Sequence, residues 1–209
     1  GVLVRIRRGP EAGFQVRDVA ASGSFVSFEE GKALGLSIET RESELNGVPF
    51  LEATVRDVSG RDRAITLVYA LPLPAGECVW LQDPRRSETM VDGREYAETA
   101  RFQAGANGRL STYPFGAVVT AKRGLALATD LAAPAFCRFA ANSGTHELFV
   151  AYDLGLSSEK PTATVRFCQY DFDPEWGFRA ALRRLYEIFP EAFRCRIAKQ
   201  GLWMPFAKI

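Results

Sequence analysis

The chain has 209 residues, 47% hydrophobic and 24% charged, an ordinary globular composition able to bury a core without staples. Lys plus Arg number 26 against 25 Asp plus Glu, and a net charge of +1 leaves no electrostatic footprint for nucleic acid or an anionic membrane. No apolar run approaches the roughly 18 residues of a membrane helix; the opening on Gly without a signal peptide reads as a processed protein or an excised domain.

Strand signals dominate from the start. Residues 2–7 and 13–19 are β-type runs broken at Gly9-Pro10, and Arg5-Ile6-Arg7-Arg8 reads as the wet face of the first. Residues 24–28 alternate with period two, as a half-buried strand does. Further runs are predicted at 34–39, 50–57, 64–71, 78–82, 115–121, 125–130, 136–141, 147–154 and 163–172. Turn chemistry separates them at Asn46-Gly47, Ser59-Gly60, Asn107-Gly108 and Asn142-Ser143-Gly144, with a tight hairpin at Lys122-Arg123-Gly124. Asp57 to Arg63 is read as a solvated hairpin turn. About a dozen short strands at regular spacing predict a mainly β chain folded as a large antiparallel sandwich.

One amphipathic helix follows. Asp173 supplies an N-cap, Pro174 the first helical position and Glu175 an acid for the first turn. Phe178, Ala181, Leu182, Leu185, Ile188 and Phe189 fall on one face, and Pro190 stops the helix. The expected division is a sandwich over 1–172, then a helix and linker over 173–209 leading into a further, catalytic domain. The apolar tail Gly201-Leu202-Trp203-Met204-Pro205-Phe206 fits such a continuation, because large exposed side chains each forgo about 1.5–3 kcal/mol of burial. A tail folded back on its own sandwich is the alternative.

Candidate chemistry is sparse. The four cysteines, at 78, 137, 168 and 195, make no CxxC and no zinc-type spacing, so no metal site and no cofactor is expected. His146 is the only histidine and sits in a turn entering a strand, which excludes a paired-histidine metal site. Asp171, Asp173 and Glu175 cluster as glycosidase acids do, but helix capping already accounts for Asp173 and Glu175. Trp80-Leu81-Gln82-Asp83-Pro84-Arg85-Arg86 puts an aromatic, a carboxylate and guanidiniums at a strand end, a rim suited to sugar. Tyr113-Pro114-Phe115-Gly116 is similar, so Trp80, Asp83, Arg86 and Tyr113 are the candidate carbohydrate-binding residues. Against this stands the usual fate of sandwich aromatics, which is the core.

Several stretches together resemble bacterial glycoside-hydrolase-type proteins in which a galactose mutarotase-like supersandwich precedes a catalytic barrel. They are Gly60-Arg61-Asp62-Arg63-Ala64-Ile65-Thr66-Leu67, Leu71-Pro72-Leu73-Pro74, Ser111-Thr112-Tyr113-Pro114-Phe115-Gly116 and Asp171-Phe172-Asp173-Pro174-Glu175-Trp176-Gly177-Phe178-Arg179-Ala180. Phe189-Pro190-Glu191-Ala192-Phe193 and the 201–206 tail look like a sandwich-to-barrel junction. The resemblance implies a non-catalytic accessory domain of a polysaccharide-degrading enzyme, packed on a downstream barrel and lending a wall to its cleft. Carbohydrate and that downstream domain are the implied partners, and a periplasmic or secreted location is favoured. The interdomain interface would use Trp176, Phe178, Leu182, Trp203 and Phe206. A free-standing carbohydrate-binding module stacking sugars on Trp80, Tyr113 or Trp176 is the second reading. A sugar epimerase working through His146 is the third, although mutarotases use several histidines with a glutamate and this chain has one.

Overall fold

A computed structural model describes residues 35–105 and 108–197 in full, and the backbone of three strands before them. In chain order the strands are β1 (Val2–Arg8), β2 (Glu11–Val16), β3 (Val26–Ser27), β4 (Leu36–Leu45), β5 (Val48–Asp57), β6 (Arg63–Pro72), β7 (Val79–Asp83) and β8 (Arg86–Thr89). There follow β9 (Glu95–Tyr96), β10 (Thr99–Gly105), β11 (Gly108–Ser111), β12 (Phe115–Val119), β13 (Gly124–Thr129), β14 (Cys137–Asn142), β15 (Glu147–Leu156) and β16 (Thr162–Phe172). A 3-10 turn at Pro174–Trp176 leads into helix α1 (Gly177–Ile188), and a second at Pro190–Ala192 follows it.

The strands form two seven-stranded sheets. One runs β1-β3-β2-β6-β15-β14-β9, and the other β4-β5-β16-β13-β12-β7-β8; a separate ribbon pairs β10 with β11. Every pairing in the second sheet is antiparallel. In the first, β1 runs parallel to β6 and the rest of the β6-β15-β14-β9 array is antiparallel. The fold is thus mainly β, a large antiparallel sandwich with one amphipathic helix near its C-terminal end.

Alternation builds the space between the sheets. Ile65 and Leu67 of β6, Leu148, Val150 and Tyr152 of β15 and Phe139 of β14 meet Val55, Val118, Leu127, Val165 and Phe167 from the facing sheet. The second sheet is covered on its other face too. There Val48, Phe50, Phe115, Ala117, Ala126, Ala128, Cys168 and Tyr170 form a second core with Phe178, Ala181, Leu185 and Ile188 of α1. That is why all of β13 is buried and reads Gly-Leu-Ala-Leu-Ala-Thr: leucines face the facing sheet, and small residues let the helix lie close. Tyr170 fastens the layers by donating its hydroxyl hydrogen bond to the Ala181 carbonyl at 3.1 Å.

The Asn46-Gly47 turn is as expected: Leu45 pairs with Val48 across two residues at φ 51 and 75. The Asn46 side chain also donates to the Ile188 carbonyl at 3.0 Å, so this turn satisfies the end of α1. Asp57 to Arg63 differs from expectation. It is a crossover from β5 of one sheet to β6 of the other, with Asp57 buried. The Asp57 carboxylate accepts the Ser59 N–H at 2.5 Å and hydroxyl at 2.7 Å, and Arg63 pairs with it at 2.6 Å. Charge there organises a corner instead of solvating a hairpin.

The helical segment is divided where one helix was expected. Asp173 accepts the Glu175 N–H at 2.9 Å and caps only the 3-10 turn. Gly177, at φ 48, ends the 3-10 turn and redirects the chain as the first residue of α1. The expected interface residue Phe178 is buried and Leu182 half-buried against this same sheet, so both serve the fold internally. Trp203 and Phe206 lie outside the described residues.

Candidate functional site

The sequence candidates separate into core and rim. Trp80 is 2% exposed and lies in the inter-sheet core, where it offers no stacking face to solvent. Gly116 makes its place: a Cβ there would stand 3.1 Å from the Trp80 ring. Tyr113 is half-buried, and with Phe115 it forms a socket for Phe178, each ring centroid 4.9 Å from that of Phe178. The Tyr113-Pro114-Phe115-Gly116 motif therefore seats the helix on one face and Trp80 on the other.

Asp83 and Arg86 are brought together, by a turn. Asp83 pairs with Arg86 across the β7–β8 hairpin, accepting the Arg85 and Arg86 N–H groups at 2.7 and 2.9 Å and the Arg86 Nε at 2.7 Å. The Arg85 backbone N–H, followed by the Arg86 side chain, holds the Asp83 carboxyl below the usual range. The Asp83 carboxylate in turn raises the Arg86 guanidinium. Arg86 also reaches Glu98 at 3.6 Å, so the hairpin tip is a fixed array of charge.

Beside this tip stands the residue that sequence reasoning placed in an interdomain interface. Trp176 is 64% exposed at the end of the 3-10 turn. One cleft of about 340 Å³ lies between it and the hairpin, lined also by Asp83, Arg86, Glu175 and Arg179. A second, of about 540 Å³, runs along the outer face of α1 with Phe172, Arg179, Arg183, Arg184 and Glu187. Trp176 and Arg179 line both clefts. Glu187 accepts from Arg183 at 3.2 Å and Arg184 at 3.1 Å; Arg184 first and Arg183 next lower its carboxyl.

No protein-family model and no curated protein sequence matches the chain. The site therefore has to be judged by its own chemistry. A large exposed indole flanked by carboxylates and guanidiniums, several of them held by turns and ion pairs, has the chemistry for stacking and hydrogen bonding.

The remaining candidates lie elsewhere. His146 is exposed at the β14–β15 turn, at φ 53, outside these clefts, and its carbonyl accepts the Leu73 N–H at 2.9 Å. Asp171 pairs with Arg123 at 2.8 Å on the sheet surface, and Asp173 is a cap. Among the described residues no group of three His, Cys, Asp or Glu side chains is arranged to hold a metal ion. The arginines of the α1 outer face were missed as a site because charge on an amphipathic helix ordinarily means solvation. Only the neighbouring Trp176 and the cleft distinguish them.

Proposed function

We propose that the chain is a non-catalytic accessory β-sandwich domain of a larger carbohydrate-active enzyme, a glycoside hydrolase by the resemblance above, and that it holds glycan against Trp176. The observation that carries this reading is Trp176 itself, 64% exposed and shared by two clefts in which Asp83 with Arg86, and Glu187 with Arg183 and Arg184, are held by ion pairs. Pyranose rings have an apolar face that stacks on indole and a hydroxylated rim that needs oriented donors and acceptors. The Asp83–Arg86 hairpin and the α1 arginines are such groups. Of the aromatics expected to act as platforms, only Trp176 has the exposure to do so.

The test is a panel of soluble oligosaccharides titrated calorimetrically against the chain and its Trp176→Ala variant. Binding by the wild type that drops at least about tenfold in the variant, with unchanged circular dichroism, supports the reading. Wild-type binding that the variant retains removes Trp176 from it.

A second element of the proposal is contact with a neighbouring domain. The rings of Tyr186 and Phe193 pack with centroids 4.1 Å apart, inclined by 51°, with 44% exposure each, and Ile197 is 65% exposed. These side chains, instead of Phe178 and Leu182, are the apolar surface available to a downstream barrel. Joining the chain to the sequence that follows it in the gene and measuring protection of Tyr186 and Phe193 by hydrogen exchange or footprinting tests this. Unchanged exposure in the longer protein argues against the contact.

A further inference from the structure

We infer that the clefts along α1 form one track for an anionic oligosaccharide bearing uronate groups, with Trp176 as its stacking face and Arg179 as its carboxylate reader. This rests on the glycan reading above and names the ligand class.

The track is longer than the two clefts that flank Trp176. A third, of about 310 Å³, lies between Gly47, Tyr170, Asp171 and Arg123, and shares Arg184 with the second. The three thus follow one another from the β7–β8 hairpin, past Trp176 and Arg179, to the Arg123–Asp171 pair. Alongside them runs a helix of 12 residues, about 18 Å long, so an extended oligosaccharide suits the shape better than a monosaccharide.

The basic side chains select the charge. Every one that lines the track is an arginine: 85, 86, 123, 179, 183 and 184. A guanidinium offers five N–H groups in a planar fork that matches a carboxylate bidentately, which an ammonium does not. Arg86 is engaged by Asp83 and Arg123 by Asp171, while Arg183 and Arg184 share the single carboxylate of Glu187. Arg85 and Arg179 make no ion pair with any described residue, and of these two only Arg179 lines both clefts beside the exposed indole. A sugar ring stacked on Trp176 would carry its carboxylate within reach of that fork. Of the carboxylates of the track, Asp83 is held in its hairpin, Asp171 pairs with Arg123, Asp173 caps a turn and Glu187 is shared, which leaves Glu175 as the one beside Arg179, and no ion pair joins the two.

The experiment titrates the 209-residue chain with three probes: an oligogalacturonate, its fully methyl-esterified form and a neutral galacto-oligosaccharide of the same length. The expected result is binding of the oligogalacturonate, at least about tenfold weaker binding of the ester and the neutral sugar, and loss of that preference in Arg179→Gln. Affinity for the charged probe falls as salt rises from about 50 to about 500 mM, while any neutral binding does not. Arg179 is exposed, so the variant keeps the fold, checked by its melting curve. Arg179→Lys, retaining charge without the fork, recovers only part of the preference. Equal binding of acid and ester, or oligogalacturonate binding indifferent to Arg179→Gln, overturns the uronate track; sensitivity to Trp176→Ala then leaves the glycan reading standing. No binding of any probe overturns both.

Discussion

Gly116 and Gly124 occupy adjacent strands and opposite faces of the helix-bearing sheet, and each is empty for a different neighbour. A Cβ at Gly116 would lie 2.6 Å from the Cβ of Phe139, an atom fixed to its own backbone and unable to swing away. Gly116→Ala is therefore expected to cost about 1–3 kcal/mol, read as a lower urea midpoint at unchanged slope. A Cβ at Gly124 would meet only the ring of Phe172, the far end of a side chain. Gly124→Ala should cost less stability and instead shift Phe172, a wall of the second cleft, so under the proposed function its effect appears as a change in oligosaccharide affinity. Thiol chemistry is set by burial in the same way. Desolvation pushes Cys137 and Cys168 up to about 12, raises Cys78 as well, and leaves Cys195 on the surface. At pH 8 the native chain should label quickly at Cys195 alone, and at all four cysteines in denaturant. The sign of the linked stability follows: unfolded thiols lose protons from about pH 8.5 while the folded ones keep theirs. Stability is thus full below that pH and declines as pH rises toward about 12, and the decline shrinks in a Cys137→Ala, Cys168→Ala double variant.

At the scale of elements, α1 shows how local signals and packing divide the work. Its inner residues Leu185 and Ile188 are fully buried, so Leu185→Ala is expected to destabilise by about 2–5 kcal/mol in chemical denaturation. Asp173→Ala removes one cap bond on a 3-10 turn and should cost only about 0.5–2 kcal/mol. Five of the six apolar residues expected on one face are buried, with Leu182 half-buried at its margin, and their helical spacing was legible in the sequence. The break at Gly177 was not, because Asp-Pro-Glu is a sound start for a helix beginning at Pro174. The glycine's left-handed φ comes from the chain having to turn off β16 and onto its own sheet. Strands with alternating or continuously apolar residues were legible to within a few positions, except that β4 continues through the mainly polar residues 40–45 beyond the expected 34–39. Those from β8 to β11 were not: they are short, charged and largely at the edges, where no buried face imposes a period.

For the molecule as a whole, the helix is a layer of the sandwich and not an appendage to it. Phe50, Phe115, Cys168 and Tyr170 would face water without it. A chain ending at residue 172 is expected to lose cooperative unfolding and to precipitate, whereas one ending at 197 should unfold in a single transition by calorimetry.

The sequence by itself determined the class of this protein. Its period-two runs, its turn dipeptides and its single 3.6-period stripe each constrain a local conformation, and together they admit little but an antiparallel sandwich with one helix. Local pattern also placed Asp83 and Arg86 together in a loop at a strand end, but not the hairpin with β8 that fixes them. What it could not carry was which aromatic faces water. Trp80 and Trp176 were both read as candidate stacking platforms, yet one fills the space over Gly116 and the other stands clear at a bend. The burial of Trp80 depends on Gly116 and Phe139, each more than thirty residues away, and only the packed layers decide it.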